Sequence, residues 1–81
     1  MQVFPNPVDN QLSISFGLDK NTAVKVSLFD LTGREIAVLL NVERLNGQQL
    51  LNLPLVNLQM GCYFLKIDMG EQVVVKKIFK M

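Results

Sequence analysis

Histidine is absent from this 81-residue chain. Imidazole is the commonest general base and the commonest metal ligand. Without it neither a Ser-His-Asp nor a Cys-His nucleophile arrangement can be assembled. Cys62 is the single cysteine, so a thiolate–imidazole zinc site is excluded too. The same count excludes an internal disulfide, the usual staple of small secreted domains. Stability must then come from packing, with Cys62 read as a small buried hydrophobe rather than an interchain link. The five glycines are scattered and form no phosphate-cradling loop. No run of about 20 apolar residues exists to cross a membrane as a helix. No basic stretch precedes an apolar core at the N-terminus, so no signal peptide is read there. An exported product would take its export signal from a segment upstream, and Met1 would then be a start residue added to a fragment.

What the chain does have is apolar content, 49% of its residues, in a length that suits one domain over residues 1–81. A domain this small buries about 60–65% of its unfolded surface, so its core is modest. Strand-like runs of period two recur between turn residues. Phe4 leads into Pro5-Asn6-Pro7, which can neither be helical nor donate ladder hydrogen bonds at the prolines. Leu12, Ile14 and Phe16 alternate with Gln11, Ser13 and Ser15, and Val24, Val26 and Leu28 alternate with Lys25 and Ser27. Asp30-Leu31-Thr32-Gly33 reads as a tight turn joining residues 24–29 to 34–39 in a hairpin, with Ile36 and Val38 inward. Residues 40–46 suit an irregular link. Residues 47–53 form another strand with Leu51 and Leu53 inward, and residues 54–60 a crossover whose Leu55 and Leu58 plug one end of the core. Residues 61–67 and 72–80 form a second hairpin. Tyr63, Leu65 and Ile67 share its buried face; Lys66 marks the opposite one as outward, against Phe64. The expected fold is an all-β, Ig-like β-sandwich of about seven antiparallel strands.

The candidate chemical residues all carry competing structural readings. Asp9, Asp19 and Asp30 stand in expected turns, where Asp bonds local backbone, so calcium ligation is the minor reading. Tyr63 suits a buried ring whose hydroxyl reaches a backbone carbonyl. Gly61 supplies either a backbone conformation or a close approach. Net charge is +1, which advertises neither nucleic acid nor membrane. The distribution is more informative: residues 72–81 hold Lys76, Lys77 and Lys80 and no acid. Lysines on an edge strand block edge-to-edge pairing, and they equally suit an address read by an acidic receptor. The residues alone leave these two uses level. Neither face of residues 73–80 alternates cleanly, which predicts a bulge or fraying near Lys76-Lys77.

Four spaced segments carry a resemblance. Val3-Phe4-Pro5-Asn6-Pro7-Val8-Asp9-Asn10 opens the chain and Val26-Ser27-Leu28-Phe29-Asp30-Leu31-Thr32-Gly33-Arg34 follows. Leu58-Gln59-Met60-Gly61-Cys62-Tyr63-Phe64-Leu65-Lys66-Ile67 and Lys76-Lys77-Ile78-Phe79-Lys80 close it. In this order the set resembles the type A C-terminal sorting domain of the type IX secretion system of Bacteroidetes. The resemblance spans essentially the whole chain. It implies a non-catalytic, cofactor-free secretion signal fused to an upstream cargo domain, with neither nucleic acid nor a small molecule as partner. The cargo would be secreted or held at the cell surface after passing through the periplasm. The implied partners are an outer-membrane translocon, a shuttle and a sortase-like protease. The family's Gly-x-Tyr motif falls on Gly61 and Tyr63 and its terminal basic motif on Lys76, Lys77 and Lys80. Pro5, Asn6, Pro7, Asp30 and Gly33 stand as structural motif positions. Cys62 departs from the aliphatic residue usual there. An Ig-like or fibronectin-like accessory module binding carbohydrate or protein is the alternative, and would require exposed aromatics gathered on one face. The free edge of the last strand also leaves an edge-strand dimer open.

Overall fold

A computed structural model describes residues 1–5, 9–55 and 57–81. Seven strands follow in order: β1 (Gln2–Phe4), β2 (Gln11–Leu18), β3 (Thr22–Phe29), β4 (Glu35–Arg44), β5 (Gly47–Pro54), β6 (Gly61–Asp68) and β7 (Val73–Lys80). They pair antiparallel into two sheets, β1-β2-β5 and β4-β3-β6-β7. The alternation that makes each strand also assembles the sandwich. Leu12 and Ile14 of β2, Val24 and Val26 of β3, and Leu65 and Ile67 of β6 are completely buried. Leu51 and Leu53 of β5 and Ile78 of β7 join the same core. The intervening residues face out, and one such pair, Ser13 and Asn52, is bonded across the ladder, Oγ to Oδ1 at 2.7 Å.

The chain crosses between sheets after β2, β4 and β5, so neighbours in space are distant in sequence, as with β2–β5 and β3–β6. In an Ig constant domain the fourth strand lies beside the fifth. Here β4 lies beside β3, which makes sheets of three and four strands. Pro5, joined to Phe4 by a cis peptide bond, follows β1. Asn6 and Pro7 lie outside the described residues. Leu55 is buried and Leu58 packs partly against the core, so the crossover plugs one end as its sequence implied.

Three local expectations fail. Residues 40–44 are strand, not an irregular link, because Leu40 and Val42 continue the ladder opposite Val26 and Val24. Ile36 and Val38 are exposed rather than inward. Two register shifts leave Leu39 and Ile36 without partners in the ladder, and each extra residue flips the faces of those beyond it. Ala37 and Leu40 therefore sit opposite inward Leu28 and Val26, while Val38 sits opposite outward Ser27. Finally, β7 carries no bulge: its eight residues pair with β6 in unbroken register from Val73↔Asp68 to Lys80↔Gly61. The mixed faces are reconciled by position. Lys76 shares a face with Val74 and Ile78, yet it is exposed on the edge strand of the wider sheet, where a long stem carries the ammonium to water.

These face assignments are tested by two truncations. Leu65→Ala should cost about 2–5 kcal/mol of unfolding free energy in urea. Val38→Ala, inward by simple alternation and outward in the structure, should cost less than about 1 kcal/mol.

Candidate recognition surface

The site residues gather mostly at one end of the four-stranded sheet. Phe29, Phe64 and Lys77 lie in one row across β3, β6 and β7, which brings the β3–β4 turn, the start of β6 and the end of β7 together. At the turn, Asp30 Oδ1 accepts hydrogen bonds from Thr32 N (2.9 Å), Thr32 Oγ1 (2.5 Å) and Arg34 N (3.0 Å). Arg34 Nε stands 3.4 Å from the other carboxylate oxygen. Gly33 has φ +89° and donates its N–H to Asp30 O. The Thr32 hydroxyl, then the Arg34 amide, hold the Asp30 carboxyl below its ordinary pKa. This aspartate is a turn lock, with its lone pairs occupied by its own loop.

Gly61 and Tyr63 form a second lock. Gly61 has φ +150°, a conformation side chains rarely adopt, while a Cβ there would meet nothing within 4 Å. Its requirement is therefore conformational rather than steric. Two residues on, the buried Tyr63 ring sends its hydroxyl to Gln59 O at 2.6 Å. A tyrosine at the start of this strand bonded to backbone just upstream is the tyrosine corner of Ig-like sandwiches. Cys62, between them, is half-buried on the outward face opposite Phe79.

The three lysines of β7 do not act as one group. Lys76 and Lys77 are exposed on opposite faces of the strand. Lys80 is 7% exposed, and its ammonium donates to the main-chain oxygen of Met81 at 2.6 Å. Around Lys77 the outward face mixes apolar and charged groups. Val73, Val75 and Phe79 are exposed, and Lys66 Nζ lies 5.9 Å from the Phe29 ring centre.

Elsewhere the structure offers little chemistry. A cleft of about 360 Å³ lies at the opposite end, between the β2–β3 and β6–β7 connections. Its Lys20–Glu71 pair at 3.2 Å is highly exposed. Among the described residues no three His, Cys, Asp or Glu side chains gather as a metal site, and Asp9, Asp19 and Asp30 are not brought together. The exposed aromatics Phe4 and Phe79 belong to different sheets. Sequence reasoning overlooked Gln49. It is buried, its Oε1 accepts from Arg44 Nε (3.0 Å), and its Nε2 donates to Leu45 O (2.7 Å) and Gly47 O (3.2 Å). Its inward parity with Leu51 and Leu53 was the available signal.

Residues 2–81 match the family described as the secretion system C-terminal sorting domain. The chain belongs to that family, whose members are non-catalytic sorting signals of the type IX secretion system. Membership brings interaction with the secretion machinery and an attached cargo destined for secretion or the cell surface. No curated protein and no solved structure matches the chain.

Two measurements probe the locks. Tyr63→Phe keeps the ring and removes one part-buried hydrogen bond, so it should lower stability by about 0.5–2 kcal/mol without altering the fold. The Asp30 carboxyl is lowered in the folded state. Its contribution is therefore complete above the ordinary value of 3.8 and disappears as pH falls through the folded value. The stability difference between wild type and Asp30→Asn, followed by denaturation at decreasing pH, should shrink below that point.

Proposed function

We propose that this type IX sorting domain is read by the export machinery chiefly at β7, through Lys76 and Lys77. The observation that carries this reading is the division among the motif residues. Asp30, Gly33, Gly61 and Tyr63 are committed to turns and to the corner bond, and Lys80 is folded inward. Lys76 and Lys77 stand in solvent on a strand with no acid between residues 72 and 81. Gly61, Tyr63 and Lys80 then contribute to recognition by holding β6 and β7 in place. Pro5 acts beside β1, and Asn6 and Pro7 are assigned the same structural role from the family motif alone.

On this reading residues 1–81 are one sorting domain at the end of a larger secreted protein. The folded domain meets its reader in the periplasm. An outer-membrane translocon and a shuttle carry the cargo outward, and a sortase-like protease acts on the exported product. Electrostatic attraction suits this task, since exposed charges mainly select partners and speed encounter.

The test is a reporter fused ahead of residues 1–81 and expressed in a bacterium with a working type IX system. Wild type should bring the reporter to the surface. Lys76→Ala with Lys77→Ala should cut surface display at least about tenfold, equivalent to ~1.4 kcal/mol of lost recognition, with circular dichroism and unfolding midpoint unchanged. Lys80→Ala should instead lower the unfolding midpoint. Normal export of a folded Lys76→Ala, Lys77→Ala variant would reduce those lysines to edge guards.

A further inference from the structure

Alternation gives each sheet an outward face, and the two faces differ in chemistry. On the three-stranded sheet the outward residues of β2 and β5 are mostly Ser, Asn and Gln, among them Ser13, Ser15, Gln48 and Asn52, and none is charged. The four-stranded sheet mixes apolar and charged side chains. Phe29 and Phe64 lie side by side and half-buried, with Lys77 next along their row on β7. The neighbouring row runs from Val38 through Ser27 and Lys66 to Val75. Val38 is 49% exposed and Val75 56%. Apolar side chains gathered inside a charged rim have the composition of an interaction site.

The charges of this face are not balanced where they stand. Glu35 pairs with Lys25 at 3.7 Å, and Asp68 accepts a hydrogen bond from Gly70 N at 2.9 Å. Glu43, the remaining acid of these four strands, stands at the far end of β4. Lys66 Nζ rests over the Phe29 ring, and among the described residues no carboxylate pairs with Lys66 or Lys77. Asn6, Pro7, Val8 and Val56, outside the described residues, carry no carboxylate. Lys66 faces Val75, two residues before Lys77, so the two lysines are diagonal neighbours on one face.

We infer that this outward face docks a separate protein, whose surface sets two carboxylates on Lys66 and Lys77 and apolar side chains on Val38, Val75 and the Phe64 ring. Apolar contact would supply the hold, and the paired charges the choice of partner. The proposal rests on the reading of β7 as the recognised strand and assigns the face that is read. Lys77 lies within that face. Lys76 points to the other side of β7 and stays at the rim, where a charge changes the rate of encounter more than the hold. A lipid surface fits poorly, since a cluster that reads anionic lipid carries about four to eight basic residues. A second copy also fits poorly. A stable dimer buries about 800 Å² per partner, whereas four strands of about eight residues offer roughly 500 Å² of face. That area suits a brief encounter, and a sorting signal needs a reader that lets it go.

The test places the photo-crosslinking residue p-benzoylphenylalanine at Val75 of the reporter fusion, in a bacterium with a working type IX system. Leu50, exposed on the outward face of the other sheet, is the control position. Irradiation should join position 75, and not position 50, to a protein. Lys66→Glu with Lys77→Glu should cut both that adduct and surface display at least about tenfold, with circular dichroism unchanged. Lys66→Gln with Lys77→Gln takes the place of the Glu pair if that pair does not fold. Lys66→Arg with Lys77→Arg should keep adduct and display, and Lys76→Ala should cost less display than Lys77→Ala. The proposal is overturned by no adduct at position 75, by an adduct indifferent to charge reversal, or by an adduct with a second copy of the fusion. Binding of the 81-residue chain to phosphatidylglycerol vesicles, abolished by the charge reversal, would overturn it in favour of lipid. The two levels separate cleanly. Equal loss of display from Lys76→Ala and Lys77→Ala, with none from Lys66→Glu, would keep β7 as the recognised strand and remove the docked face. A charge-dependent adduct with export indifferent to Lys76 and Lys77 would do the reverse.

Discussion

Contact between the inward faces of the two sheets is the interaction on which the rest of this structure depends. No disulfide joins the sheets, and the lone cysteine lies on the outward face of β6. The chain crosses from sheet to sheet three times, so every ladder except the hairpins β3–β4 and β6–β7 and the adjacent pair β1–β2 joins segments far apart in sequence. Those long-range ladders are held in register because a shift of one residue would expose the whole inward row. Burial of Leu12, Ile14, Val24, Val26, Leu65 and Ile67 thus decides which strands pair as well as how firmly the sheets adhere. Polar locks complete what packing begins: at the crossovers Tyr63 holds the entry to β6 and Gln49 the passage from β4 to β5, and within one sheet Asp30 holds the β3–β4 turn.

This division gives the family motifs physical content. A sorting signal must fold reliably before it is read, and must still leave something outside for the reader. The turn and corner motifs serve the first need, since each satisfies backbone groups that would otherwise be left without partners where strands end. The basic motif serves both needs. Lys80 is buried opposite Gly61 with its ammonium on the main-chain oxygen of Met81, whereas Lys76 and Lys77 remain in solvent. Catalysis makes no demand on this framework, and the polar groups are spent accordingly on their own backbone.

Legibility followed the regularity of the local pattern. β2, β3, β5 and β6 alternate cleanly, and their inward residues can be named from the sequence alone. The Tyr63 hydroxyl was readable for another reason: a buried phenol needs a partner, and backbone carbonyl is the nearest supply. β4 was misread because a bulge changes parity without leaving a strong mark in composition. Leu39 and Ile36 look like any strand residues, and only pairing with β3 makes them supernumerary. The error on β7 had the opposite sense. A lysine on the core-facing side suggested a broken strand, but on an edge strand its long stem reaches water without one.

By itself, the sequence determined the fold class, the buried rows, the turn at Asp30 and the absence of any histidine-dependent chemistry, because period, turn chemistry and residue inventory are local properties. The motif set also carried the family. Only the tertiary structure decided that two register shifts turn Ile36 and Val38 outward on β4, that Gly61 is needed for its backbone angle and not for space, and that the three lysines of β7 divide into one inward and two exposed. Each of those depends on what lies across a ladder or across the sandwich, and a residue's neighbours there are set by the fold as a whole.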